Sequence, residues 1–267
     1  MIYLLCFAAS AFGSLLVGGI GTGSSLVILP TLVLVLDQVL PQVDAIRYAA
    51  GTTMAVIAIG AISGGVSRYR AKQVDVSLIR LLAIPYIVGA LLGPWLASWL
   101  PVSILRIYVA GLIIIVAMRL VFVARPASEK LQSVAGHKFQ LVVVMTLIAL
   151  LSSLGGIASG IFAIPYLMRF SLPMNTIVGT STVGAGIFAS FATIGYVSAG
   201  IGAANAPSAS FGFVYLPVFI LMAFAAAVFT PLGVKYSKHL NETLIKQILA
   251  GFLLISAAVI FTDALAF

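Results

Sequence analysis

Long apolar runs follow one another along almost the whole chain, and few charged residues interrupt them. About 20 apolar residues are enough for a helix to cross a bilayer, and a chain in lipid must satisfy its backbone polar groups internally, which favours helices. Only 7% of the residues are charged and 62% are hydrophobic, whereas soluble domains carry about 25% charged residues. The sequence therefore predicts an all-α polytopic membrane protein without a soluble domain.

The apolar pattern divides into two sets of five elements. The first half has elements at 2–18, 24–37, 45–67, 77–100 and 102–124, and the second half at 138–154, 157–170, 174–199, 211–236 and 242–265. The third, fourth and fifth elements of each half are long enough to span a bilayer, whereas the first two are shorter. We therefore predict a first membrane repeat at 1–124, a cytoplasmic linker at 125–137 and a second membrane repeat at 138–267.

A break rich in glycine and serine separates the first two elements of each half. The first break is Gly18 to Ser25 (Gly-Gly-Ile-Gly-Thr-Gly-Ser-Ser), and the second is Gly155 to Gly160 (Gly-Gly-Ile-Ala-Ser-Gly). Such a break frees backbone groups that only protein or a cavity can satisfy at membrane depth. Paired broken helices in two halves are typical of a transporter's substrate site. Each pair forms either a helical hairpin that enters and returns, or two short or tilted spans.

Basic residues are concentrated in short loops, at 68–72, 125–138 and 235–246. Because positively charged loops stay on the cytoplasmic side, all three lie there only if each broken pair crosses the bilayer an even number of times. The third element then runs in opposite directions in the two halves, which predicts inverted-topology repeats with both termini outside. This distribution also accounts for the net charge of +8, so no nucleic-acid partner is expected.

The chemistry of the breaks suits a small anionic substrate. The first turn of a helix has unpaired N–H groups and the positive end of the helix dipole, which together bind anions. Glycine lets the backbone approach a ligand closely, and hydroxyl groups rotate to donate to an oxyanion. Inverted repeats with broken helices place such a site near the bilayer midplane.

Two further motifs match between the halves, Gly51-Thr52-Thr53 and Gly179-Thr180-Ser181 in the third elements. We expect them to add hydroxyl groups to the site. The predicted substrate-binding residues are Gly21, Thr22, Gly23, Ser24, Ser25, Arg47, Gly51, Thr52, Thr53, Ala158, Ser159, Gly160, Asn175, Gly179, Thr180 and Ser181.

Some of these residue types have a structural alternative. Small residues also let membrane helices pack closely, and this is the interpretation we favour for the pairs Gly60/Gly64 and Gly89/Gly93. Arg47 either adds positive charge to the anion path or lies at the external interface and extends its head group into water.

The breaks, each followed by an apolar run ending in Pro-x-Leu (Pro30-Thr31-Leu32 and Pro165-Tyr166-Leu167), and the two Gly-Thr motifs resemble the sulfite exporter TauE/SafE family. The resemblance covers nearly the whole chain. It implies transport of anions such as sulfite or small organosulfonates across the bacterial inner membrane, with a direction that differs among family members.

The predicted helices contain no deeply placed Asp or Glu, and His137 and His239 lie in basic loops. Proton-coupled carriers often use such groups, so coupling runs through a cation held by backbone carbonyls or directly through the membrane potential. Enzyme signatures are lacking, and no cofactor is expected. The single cysteine excludes an internal disulfide and a cysteine-based metal cluster.

Two other functions remain open beside a secondary transporter. A passive anion channel would use the same helix dipoles and hydroxyl groups. A non-transporting membrane-assembly subunit would bind no small anion. The glycine-rich helix faces fit a homodimer as well as they fit packing within one monomer.

Overall fold

The protein is a bundle of α-helices with one short β-hairpin. The computed structural model describes residues 2–21, 23–40, 44–122, 133–203, 206–236, 251–254, 256–258 and 260–261. The helices are α1 (Ile2–Ile20), α2 (Ser24–Val39), α3 (Ala45–Arg70), α4 (Val76–Trp99), α5 (Val102–Phe122), α6 (Lys138–Leu154), α7 (Gly160–Leu167), α8 (Met174–Gly200) and α9 (Leu216–Tyr236). A 3-10 turn (Ala135–His137) precedes α6, and strands β1 (Ser210–Phe211) and β2 (Val214–Tyr215) precede α9.

The helices agree with the predicted apolar elements, and the all-α membrane class is confirmed. The main difference concerns the predicted element 211–236, because an antiparallel hairpin occupies its first residues and α9 begins only at Leu216. Gly212 adopts φ +55° between the two strands, a conformation that favours glycine. Most of the predicted element 242–265 and residues 125–132 of the predicted linker lie outside the described residues.

Four helices, α3, α4, α8 and α9, are long and apolar enough to cross a membrane within the described part of the chain. Most of α3 and α8 is buried inside the protein, whereas α4 and α9 each expose one face. Large apolar side chains such as Ile84, Leu92 and Phe224 are exposed on those outer faces. An apolar surface of this kind suits lipid rather than water.

The central pair, α3 and α8, runs antiparallel. Gly186 of α8 lies against Ile62 of α3, and Gly65 of α3 lies against Val183 of α8. Residue numbers along α8 therefore decrease as those along α3 increase.

The other main contacts also join the two halves of the chain. Helix α1 packs on α9 and α4 packs on α6, while α9 also contacts α3 and α4 also contacts α8. Glycines allow the close approaches. A Cβ atom at Gly18 would lie 2.6 Å from the Cα of Gly233, and one at Gly89 would lie 2.6 Å from the backbone nitrogen of Leu150. The interpretation of Gly89 as a packing residue is therefore confirmed.

Candidate functional site

The two breaks meet inside the bundle. The hydroxyl oxygen of Ser25, in the first turn of α2, accepts a hydrogen bond from the backbone N–H of Ala158 in the second break at 3.0 Å. Each break turns at a glycine with positive φ, Gly21 at +86° and Gly156 at +68°, where other residues are strained. Gly23 also has a left-handed backbone, at φ +119°, and it directly precedes α2.

A cavity lies where the breaks meet the central helices. Four predicted residues line it: Gly21, Ser24, Ala158 and Gly160. Its wall is completed by residues of α1, α3, α8 and α9 that the sequence did not indicate, among them Ser14, Ile57, Gly60, Ala185 and Thr230.

The cavity lies at mid-depth in the bundle and is small. Ile57 and Ala185 lie near the midpoints of α3 and α8. The cavity volume of about 10 Å³ is close to the minimum that holds one water molecule. In this conformation the cavity is therefore too small for an oxyanion, which is larger than water.

Several buried hydroxyl groups in this region have no hydrogen-bond partner within the described part of the chain. They include the hydroxyl of Thr230, which lines the cavity, and that of Ser159, which lies between two lining residues. An unpartnered buried polar group is costly and normally finds a partner. These hydroxyl groups are therefore available to a bound ligand.

The Gly-Thr motifs do not line the cavity, and their second residues form hydrogen bonds with other backbone segments. The hydroxyl of Thr52 accepts a hydrogen bond from the backbone N–H of Tyr215, just before α9, at 3.0 Å. The hydroxyl of Thr180 accepts one from the backbone N–H of Asp75, just before α4, also at 3.0 Å. A Cβ atom at Gly51 or Gly179 would collide with a backbone carbonyl of the same segments.

The third residue of each Gly-Thr motif differs from the second in its hydrogen bonding. Thr53 and Ser181 are fully buried, and among the described residues their hydroxyl groups have no hydrogen-bond partner. Thr53 precedes the lining residue Ile57 by about one helical turn, and Ser181 precedes Ala185 by the same interval. Neither lines the cavity itself.

The remaining predicted residues are not brought to the breaks. Arg47 forms an ion pair with Asp44 and donates to the carbonyls of Ala97 at 3.2 Å and Leu100 at 2.6 Å. It therefore stabilises the C-terminal end of α4, where cations are favoured. Asn175 is exposed at the start of α8, and Thr22 lies outside the described residues.

Arg68 lies close to the first break, although the sequence suggested only an orienting loop charge. It is 5% exposed, and its Nη2 donates to the carbonyl of Gly18 at 2.7 Å. Its Nη1 donates to the Gln73 side chain at 3.1 Å. Helical periodicity places Arg68 on the same face as Gly64 and Gly60, and this spacing was the available signal.

Comparison with known proteins identifies the family. The model for the sulfite exporter TauE/SafE family matches residues 6–260. The chain belongs to the sulfite exporter TauE/SafE family. The predicted resemblance is therefore confirmed, and this TauE/SafE protein is a multi-pass membrane transporter of a small anionic substrate, not an enzyme.

Two curated relatives agree with this membership. A "Probable membrane transporter protein" of Haemophilus influenzae is 27% identical over 256 residues, covering 95% of this chain and 96% of that protein. A "Probable membrane transporter protein YdhB" of Bacillus subtilis is 27% identical over 160 residues, covering 58% of this chain and 65% of that protein. No solved structure matches the chain at a significant level.

Proposed function

We propose that this protein is a secondary transporter that exports small sulfur-containing anions, such as sulfite or organosulfonates, across the bacterial inner membrane. The observation that carries the proposal is the meeting of the two breaks. Residues of both breaks line one cavity, and Ser25 accepts a hydrogen bond from the backbone of Ala158. Paired broken helices at mid-depth are the usual architecture of a transporter's binding site.

The proposed architecture is a pair of inverted repeats, each with a broken hairpin and three spanning helices. The helix contacts support it. If α1, α3 and α4 of the first half correspond to α6, α8 and α9 of the second half, the contact α1–α9 corresponds to α4–α6, and α3–α9 corresponds to α4–α8. The hydrogen bond from Tyr215 to Thr52 likewise corresponds to that from Asp75 to Thr180. Helices α3 and α8 correspond to each other, and they pack together antiparallel between the two halves.

The proposed binding residues are a subset of the predicted ones, with additions. We retain Gly21, Ser24, Ala158, Ser159 and Gly160 at the cavity, and place Thr53 and Ser181 on the path to either side of it. Ser14, Gly60 and Thr230 join the cavity wall. For Arg47, Gly51, Thr52, Gly179 and Thr180 we propose structural roles, because their contacts are with other backbone segments.

The membrane potential provides a driving force for this export. With the cell interior negative, outward movement of an anion is favoured by about 2.3 kcal/mol per charge per 100 mV. The small volume of the cavity, about 10 Å³, favours a carrier that changes conformation over a passive channel. A coupling cation is the alternative source of energy.

Ligand-dependent thermal unfolding of the detergent-purified protein tests the proposal. The ligands are sodium salts of sulfite, thiosulfate, sulfate, taurine, sulfoacetate and acetate at matched ionic strength. A ligand at 100 times its dissociation constant stabilises the folded state by about 2.7 kcal/mol, so we expect one sulfur anion to raise Tm selectively. Loss of that shift with choline sulfoacetate would identify sodium coupling. A protein that no anion stabilises would contradict the proposed function and favour a membrane-assembly role.

A further inference from the structure

Three arginines with buried or largely buried side chains differ in their partners. Arg47 pairs with Asp44, and the Nη2 of Arg106 lies 2.6 Å from a carboxylate oxygen of Asp37. Within the described residues, Arg68 has no carboxylate within ion-pair distance. Its hydrogen bonds go to a backbone carbonyl and to a glutamine side chain, both neutral.

A buried guanidinium without a counterion requires a physical reason. Removing a charge from water is costly, and an opposite charge normally offsets this cost. Arg68 is buried in the last turn of α3, and buried ionisable residues of membrane proteins often lie on ion and substrate pathways. The Nε–H of Arg68 is also buried, and it has no hydrogen-bond partner among the described residues. Two of the five guanidinium N–H donors are used by Gly18 and Gln73, so others can bind a ligand.

Arg68 is linked to the central cavity through its neighbours, although it does not line the cavity itself. Its Nη2 donates to the carbonyl of Gly18, the residue that follows the lining residue Val17. Gly64 and Gly60 precede Arg68 by one and two helical turns on the same face of α3, and both lie against Thr230, which lines the cavity. The Thr230 hydroxyl lies closest to Gly60, and it has no hydrogen-bond partner among the described residues. This face of α3 therefore leads from the cavity to Arg68 at the end of the helix.

We infer that Arg68 binds the transported anion between the central cavity and the end of α3, and supplies the positive charge that the cavity wall lacks. The inference rests on the proposed transport function. It also narrows the substrate class to oxyanions, since a guanidinium presents a planar set of N–H donors that matches several oxygens on one atom. Sulfite and sulfonate groups have this arrangement, and a halide does not.

The test compares three variants of the full-length purified protein by anion-dependent thermal unfolding. Arg68→Gln removes the charge, Arg68→Lys keeps the charge without the planar donors, and Arg47→Gln is the matched control. We expect the sulfite or sulfoacetate concentration that gives half of the maximal Tm shift to rise about tenfold or more in Arg68→Gln, because hydrogen bonds to charged groups are stronger than neutral ones. Arg68→Lys should show a smaller loss, and Arg47→Gln should bind as the wild type does.

The outcomes separate the two proposals. Lower ligand-free stability of Arg68→Gln does not affect the result, because half-saturation is measured within each variant. If Arg68→Gln does not fold, Arg68→Lys retains the buried charge and decides the question. If the Arg68 variants reach half of the maximal Tm shift at the same anion concentration as the wild type, the role of Arg68 is overturned and the proposed function is not. Absence of anion stabilisation in the wild type overturns the proposed function and this inference together.

Discussion

The two kinds of repeated motif, the breaks and the Gly-Thr pairs, look alike in sequence and differ in the structure. Both occur once in each half and both combine glycine with hydroxyl residues. The breaks line the central cavity, whereas the hydroxyl groups of Thr52 and Thr180 accept backbone hydrogen bonds from segments that enter α9 and α4. Repetition therefore marks a shared architectural position. Within the Gly-Thr pairs, the hydrogen-bond partner separates the hydroxyl groups of Thr52 and Thr180 from those of Thr53 and Ser181, which have none among the described residues. In the breaks, the corresponding bond to Ser25 joins one break to the other.

The largest effect is expected from alanine at the glycines of the Gly-Thr pairs. In Gly51→Ala and Gly179→Ala the new Cβ would collide with the carbonyls of Phe213 and Gln73, and backbone cannot yield as a flexible side chain can. We expect destabilisation of about 3 kcal/mol or more, seen as loss of folded protein in size-exclusion chromatography. Gly111→Ala is the control, because a Cβ there meets nothing within 4 Å. Normal yield of both variants would contradict the structural role.

Leucine in the breaks should abolish transport while the protein still inserts. In Gly160→Leu the new side chain is larger than the cavity of about 10 Å³ and blocks it, and Ser25→Leu removes the acceptor for the Ala158 N–H. We expect anion flux into proteoliposomes to fall below detection in both variants. Gly111→Leu is the matched control and should transport normally. Wild-type flux in Gly160→Leu and Ser25→Leu would rule out the breaks as the site.

A smaller effect should separate adjacent threonines on α3. Thr52→Val leaves the buried N–H of Tyr215 without its acceptor, which costs about 1–3 kcal/mol of unfolding free energy. Thr53→Val removes a hydroxyl that has no partner within the described structure, so its stability should equal or exceed that of the wild type. Thermal unfolding without ligand measures both. Equal losses of unfolding free energy in Thr52→Val and Thr53→Val would mean that the hydrogen bond from Tyr215 does not distinguish the two hydroxyl groups.

The smallest effect is expected at Thr230, which lines the cavity and whose hydroxyl has no partner among the described residues. In Thr230→Val the shape is kept and no hydrogen bond between described residues is lost. We expect unchanged ligand-free stability and a loss of about 1.5 kcal/mol in the free energy of sulfite binding, the lower value for a hydrogen bond to a charged group. Half-saturation of the thermal shift measures this loss. An unchanged affinity would remove Thr230 from the site.

The helices were predictable because run length and composition decide them in a membrane chain. The meeting of the breaks followed from their repetition, and the cavity contains four of the predicted residues. The hairpin before α9 was missed because its strands are two residues long and lie within an apolar run.

The places of Thr230 and Arg68 depend on tertiary contacts, and the only local signal is the helical spacing of Arg68 with Gly64 and Gly60. Thr230 is the only serine or threonine of the apolar helix α9, and its place beside the cavity appears only when α9 packs beside Gly60 of α3. Arg68 was interpreted with Arg70 and Lys72 as a loop charge. Only the structure separates its buried guanidinium from those exposed neighbours.

The small central cavity has a consequence for the energy supply of the cell. Protons cross membranes along files of hydrogen-bonded water, and a space of about 10 Å³ holds no such file. In the conformation described, the space between the two breaks has no room for such a file. For the carrier proposed above, we therefore expect no proton leak through this conformation, so that many copies would reside in a membrane without discharging the gradient that powers ATP synthesis.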